Sequence, residues 1–188
     1  MKTAFSLIAA FIVTLISLPA SAQNVVQITE GTFQAMPTAI PDFQGNTPEA
    51  GALGADIARV ISSDLAGSGL FRMIDKAAFI ERDLDIAVLP RFADWKVIQT
   101  EALVVGQVNI DAKGGISTQF RLYDVFSGRQ LYSQGYSVPS AESWRDIAHI
   151  IADDVYERLT PDAGYFDSRI VYIAESGPKT KRRRRLAV

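Results

Sequence analysis

ALVVGQVNIDAKGGISTQFRLYDVFSGRQLYSQGYSV, residues 102–138, is the stretch that decides the fold. Leu103 to Ile110 is almost continuously apolar, the pattern of a buried central strand. Asp111 to Gly115 supplies turn chemistry. Beyond it Ile116, Thr118, Phe120 and Leu122 alternate with their neighbours at the two-residue period of a strand with one buried face. Ser127-Gly128 makes a second turn before Gln130 to Val138. Three strands joined by short turns read as an antiparallel meander.

On the C-terminal side of the meander, Trp144, Ile147, Ala148, Ile151, Val155 and Leu159 recur at steps of three and four. That spacing predicts an amphipathic helix opened by Ser140 or Ala141 and closed before Pro161. Upstream, Leu53, Ile57, Val60, Ile61 and Leu65 predict a second one-sided helix over 49–66. Thr47 suits its N-cap and Pro48 its first position, and Gly67-Ser68-Gly69 ends it. Shorter elements fill the rest: an extended segment at 24–28, and a strand within Thr32 to Phe43 that Pro37 and Pro41 place at an edge or at a bulge. A strand at Leu70 to Ile74 is followed by a brief helix over Lys76 to Arg82 capped by Asp75. Asp83 to Arg91 reads as loop, and Phe92 to Ile98 as a helix carrying Trp95. The sum is an α/β fold, a two-layer sandwich of a mixed, mostly antiparallel sheet with two main helices on one face. Ser168 to Ala174 reads as one further strand, alone at the C-terminal end.

Residues 1–22 form an address rather than a part of the fold. Lys2 precedes an apolar run from Ala4 to Leu18, and Pro19 and Ala20-Ser21-Ala22 follow with small residues at the positions a signal peptidase reads. The run is shorter than the roughly 20 residues that span a bilayer. Cleavage after Ala22 starts the mature chain at Gln23 and sends it to the periplasm. No cysteine follows to accept a lipid.

Composition removes most chemistries. The 188 residues contain no Cys, which excludes disulfides, thiolate metal sites and cysteine nucleophiles. A single histidine, His149, excludes any site built on two imidazoles. It falls off the Ile151–Val155 stripe, toward the surface. Asp153, Asp154 and Glu157 share a helix without metal-ligand spacing, and read as a solvated face. The glycine pairs at 67/69 and 114/115 lack the strand-to-helix setting and the lysine of a phosphate loop. Trp95 and Trp144 read as core. The chain is therefore expected to be non-enzymatic, without metal or cofactor. Formal charge is −2, but residues 23–178 carry 12 basic and 21 acidic side chains, a net of −9. Such a body repels nucleic acid. Six basic residues (Lys179, Lys181 and Arg182 to Arg185) crowd the last ten positions and read as a solvated, poorly ordered tail.

Several stretches resemble one family. Thr38 to Phe43, Ile57 to Phe71 (IARVISSDLAGSGLF), Ala102 to Val108, Trp144 to Thr160 (WRDIAHIIADDVYERLT) and Gly164 to Pro178 (GYFDSRIVYIAESGP) are similar, in order, to the N-terminal part of the TolB family of Tol–Pal systems. The resemblance implies an N-terminal α/β domain, here 23–163, followed by a six-bladed β-propeller whose opening strand lies within 164–188. The pattern departs after Lys181, so the chain is expected to stop short of the propeller blades. Pal and translocating toxins engage the propeller in that family, and their binding is not expected here. The resemblance further implies that the mature N-terminal segment contacts TolA, which places the partner site at Val25, Val26, Gln27, Ile28, Thr29 and Phe33. An apolar-alternating strand tethered by Gly31 is suited to pairing with a partner's sheet edge, or to docking on its own domain. The resulting expectation is an interaction module serving envelope integrity, cell division and protein import. The rival readings are an inert scaffold supporting a propeller, another envelope-assembly accessory domain, an envelope hydrolase or carbohydrate binder, and a basic tail on anionic lipid.

Overall fold

The computed structural model describes residues 34–82, 84–169 and 171–187. The signal sequence, the segment 24–28 and the beginning of the strand expected within 32–43 lie outside them. The described chain begins with β1 (Met36–Ala39) and β2 (Gln44–Gly45), then α1 (Pro48–Gly67) and β3 (Phe71–Met73). A 3-10 turn at Lys76–Ala78 and the short α2 (Phe92–Val97) lead into β4 (Ala102–Ile110), β5 (Ile116–Asp124) and β6 (Arg129–Val138). The last elements are α3 (Trp144–Leu159), β7 (Tyr172–Ser176) and β8 (Arg183–Ala187).

The meander forms as its sequence predicts, with nine registered pairs between β4 and β5 and nine between β5 and β6. Sheet order is β3-β1-β4-β5-β6, with β2 beside β4 further along the edge that β1 occupies. The pairings of β1 and β2 are parallel. Pro37 therefore sits in an interior strand, not at an edge. Its missing N–H is harmless because pairing with β4 starts only at Thr38, opposite Ala102, while the Pro37 carbonyl accepts from the Glu101 N–H at 2.8 Å.

Helices α1 and α3 cover one face of the sheet and bury Ile57, Ile61, Leu65, Ile147, Ile151 and Val155 against Val104, Val108, Phe120 and Leu122. The caps of α1 form where the sequence places them, whereas α3 starts at Trp144, after a 3-10 turn at Ala141–Ser143, and not at Ser140 or Ala141. The Thr47 side chain accepts from the Ala50 N–H at 3.2 Å, and Gly69 closes α1 at φ +75°. The Asp75 cap holds only a three-residue 3-10 turn, shorter than the helix expected to Arg82.

Between β1 and β2 the chain folds Phe43 into the core. An added Cβ at Gly106 of β4 would come within 2.3 Å of the Phe43 ring, and one at Gly54 of α1 within 2.2 Å of the Phe43 carbonyl oxygen. Strand, insertion and helix thus meet where neither glycine has a side chain. The opposite face of the sheet carries a second, smaller core. Leu103, Val105, Tyr123 and Val125 pack there under Phe79, Leu84 and Trp95. The Trp95 indole N–H donates to Glu81 at 3.0 Å, which satisfies its polar atom in a buried site.

The C-terminal strand is not alone. β7 pairs antiparallel with β8, matching Tyr172 to Ala187 and Ser176 to Arg183. The arginine run is a strand rather than a poorly ordered tail. Arg182 and Arg184 both bridge Glu175, at 2.5 and 2.7 Å, and β8 stays mostly exposed.

Two stability outcomes follow from this packing. Gly106→Ala should cost about 1–3 kcal/mol in urea unfolding through overpacking against Phe43. Adding Phe43→Leu should cost less than the two single changes combined, because they share one contact. A chain ending at Ala163 should melt below one ending at Arg169, since Tyr165 and Phe166 stack on Tyr156 of α3 with centroids 5.5 and 5.6 Å away.

Candidate interaction surface

The six residues singled out for partner binding, Val25, Val26, Gln27, Ile28, Thr29 and Phe33, lie outside the described residues. The described chain begins beside a groove of about 300 Å³ at one end of the sheet. Met36 of β1, Ala102, Leu131 of β6 and Leu159 of α3 give it an apolar floor, and the carboxylates of Glu101 and Asp124 rim it. Leu131 belongs to this lining because of a bulge. Tyr132 pairs with Leu122 and Gln130 with Tyr123, which leaves Leu131 as the extra residue between them. Phe126 stands next to the groove, 60% exposed.

Asp124 organises the turn at the groove's rim. Its carboxylate accepts from the Ser127 hydroxyl at 2.8 Å and from the N–H groups of Phe126 and Ser127 at 2.9 and 3.2 Å. Chiefly the Ser127 hydroxyl, helped by these N–H donors and the charge of Arg129, holds this carboxyl below its usual range against desolvation.

Asp153, Asp154 and Glu157 of α3 act as structural fasteners; Glu157 stays solvated, as the sequence reading expects, while Asp153 and Asp154 are partly buried. Asp153 accepts from the N–H of Phe166 at 2.7 Å and of Asp167 at 3.0 Å, and Glu157 accepts from Gly164 at 3.0 Å. Asp154 turns toward β6 and accepts from the hydroxyls of Tyr136 at 2.5 Å and Tyr132 at 3.4 Å. Burial pushes the Asp154 carboxyl up, opposed by those two hydroxyls. Burial, then the neighbouring carboxylate, pushes the Tyr136 phenol up as well. His149 is partly buried and its Nδ1 lies 2.6 Å from Asp64, which ties α3 to α1. Its spacing along α3 points away from the main stripe, but sequence alone does not reveal that α1 stands there.

A second cleft, of about 540 Å³, opens at the other end of the sheet around the Asp111–Gly115 turn and Pro139. The Asn46 side chain closes one wall by bonding the Ile110 N–H and carbonyl at 3.1 and 3.3 Å. Among the described residues no three His, Asp or Glu side chains converge as a metal set would. None of the described helices is long and apolar enough to cross a membrane. The arrangement offers surfaces for contact: a groove, an open sheet edge and a strand pair.

A profile of the TolB amino-terminal domain matches residues 24–131. The chain belongs to the TolB family. It is 47% identical over 172 residues to the Tol-Pal system protein TolB of Paramagnetospirillum magneticum (strain AMB-1), covering 91% of this chain and 38% of that protein. The crystal structure of TolB from Acinetobacter baumannii superposes with a TM-score of 0.62 at 26% identity, over 74% of this chain and 32% of that one. The chain thus spans about two-fifths of the length of the curated TolB it matches. The mixed sheet with two covering helices is the TolB N-terminal fold, as the sequence resemblance implies.

The two perturbed carboxyls give opposite pH signatures. Asp124, with its folded pKa depressed, adds stability that is present above 3.8 and is lost as pH falls through the lower folded value. Asp154, with its folded pKa raised above 3.8, disfavours the fold while ionised, so stability rises as pH falls through the raised value. Urea unfolding between about pH 3 and pH 7 should show the stability–pH slope fall in Asp124→Asn and rise in Asp154→Asn, each relative to the parent.

Proposed function

We propose that this chain is a non-enzymatic, periplasmic interaction module of the Tol–Pal envelope machinery that binds TolA through its mature N-terminal segment, residues 23–33. The observation that carries the reading is the TolB amino-terminal match, which begins at residue 24 and so includes that segment. Val25, Val26 and Ile28 give the segment the apolar spacing of an extended strand, and Gly31 gives it a pivot. Added to a sheet edge of the partner, such a strand supplies main-chain hydrogen bonds for affinity and alternate side chains for specificity. The order of the chain places this segment immediately ahead of β1, with domain 23–163 as the scaffold that presents it. Export with cleavage after Ala22 delivers it with Gln23 at its N-terminus. Pal and translocating toxins are assigned by the family resemblance to the propeller, and are not proposed as partners of these residues.

Titration by calorimetry of the C-terminal domain of TolA with the chain from Gln23, beside a chain from Ala35, tests this. Binding by the longer chain and none by the shorter is the expected result, with unchanged circular dichroism in both. Equal binding by both moves the site into the folded body. Binding by neither leaves a scaffold without a TolA site.

A further inference from the structure

The sheet has two outer strands of unequal character. β3 is three residues long, whereas β6 runs ten residues, Arg129 to Val138, and among the described residues pairs only with β5. Alternate backbone N–H and C=O groups of β6 therefore point outward with no strand partner among the described residues. The usual protections of such an edge are sparse. β6 contains neither proline nor lysine, its one charged side chain is Arg129 at its start, and its bulge at Leu131 leaves Tyr132 to Val138 regular.

Its sequence is also close to a palindrome. Tyr132-Ser133-Gln134-Gly135-Tyr136 reads as tyrosine, small residue, glutamine, small residue, tyrosine in either direction. We propose that β6 pairs antiparallel with β6 of a second copy about a two-fold axis at Gln134, joining two sheets edge to edge. In that register Tyr132 lies opposite Tyr136 of the second copy, Ser133 opposite Gly135, and Gln134 opposite itself.

Three features fit this occupant. Tyr132, Gln134 and Tyr136 share the face that α3 covers, and Asp154 holds both tyrosine hydroxyls there. The rings are thus placed for two cross-strand aromatic pairs before any partner arrives. A glutamine amide carries both donor and acceptor, so two of them across an axis satisfy each other. Charge does not oppose the pairing. Arg129 lies beyond the Leu131 bulge, outside the Tyr132–Tyr136 span that pairs, so no like charges on the two strands face each other. One strand pair buries less than the roughly 1,200–2,000 Å² of a stable interface, so the association is expected to be weak and to show at high protein concentration.

Sedimentation velocity of the chain from Gln23, between about 5 and 500 µM, should show the mass rise from monomer toward dimer. Gln134→Lys sets two ammonium groups across the axis and should weaken the association at least about tenfold, with circular dichroism unchanged. The chain has no cysteine. Gln134→Cys should therefore cross-link to its own counterpart under mild oxidation, because opposed strand residues lie within disulfide reach. Ser137→Cys, which meets Leu131 of the second copy, should cross-link far less. A monomer at every concentration overturns the proposal. So does a dimer that Gln134→Lys leaves intact, or equal cross-linking at both positions, since association then runs through another surface such as β7 and β8.

Discussion

The packing of the Phe43 ring onto Gly106 is the contact on which the rest of this fold depends. Phe43 lies between two short strands that share one edge of β4, so the chain must leave the sheet after β1 and return to it at β2. The ring fills the space a side chain at Gly106 would occupy, and the backbone beside it touches α1 at Gly54. One residue thereby fixes the detour, the depth of the helix and the continuity of the core. Interiors packed at crystal-like density leave little room for compromise at such a point.

Much of this architecture is legible in the sequence because it is local. The meander is readable from strand periodicity and two turns, and α1 from its stripe, its Thr47 cap and its closing glycine. What the sequence hides is set by neighbours far along the chain. Pro37 argues for an edge strand, and nothing nearby reveals that β4 starts too late to need its N–H. Asp153, Asp154 and Glu157 resemble a solvated face until the tyrosines of β6 and the N–H groups of residues 164–167 are brought to them. Gly106 carries no local mark of the ring that requires it, and the second core is foreshadowed only by the near-unbroken apolar run of β4. The partner-binding residues are a different case. Their assignment rests on family resemblance and strand chemistry, and they precede the described residues.

The distribution of chemistry is consistent with an interaction module. Several ionisable side chains within the described domain fasten its elements: Asp64 with His149 between helices, Glu81 on Trp95, Asp124 on its turn, and Asp154 between helix and edge strand. The described surfaces include a groove rimmed by carboxylates and a long strand edge.

The parallel pairing of β1 with β4 also constrains the order in which the chain folds. Thr38 meets Ala102 sixty-four residues later, whereas β4, β5 and β6 find one another through short turns. Closing the long loop costs entropy before it yields contacts, so the meander is the natural nucleus. A chain delivered N-terminus first holds β1, β2 and α1 ready with no sheet to join. Ile57, Ile61 and Leu65 then stay wetted until β4 has emerged. For this fold the vulnerable interval is the passage of residues 36 to 110, when half of the core waits for its other half.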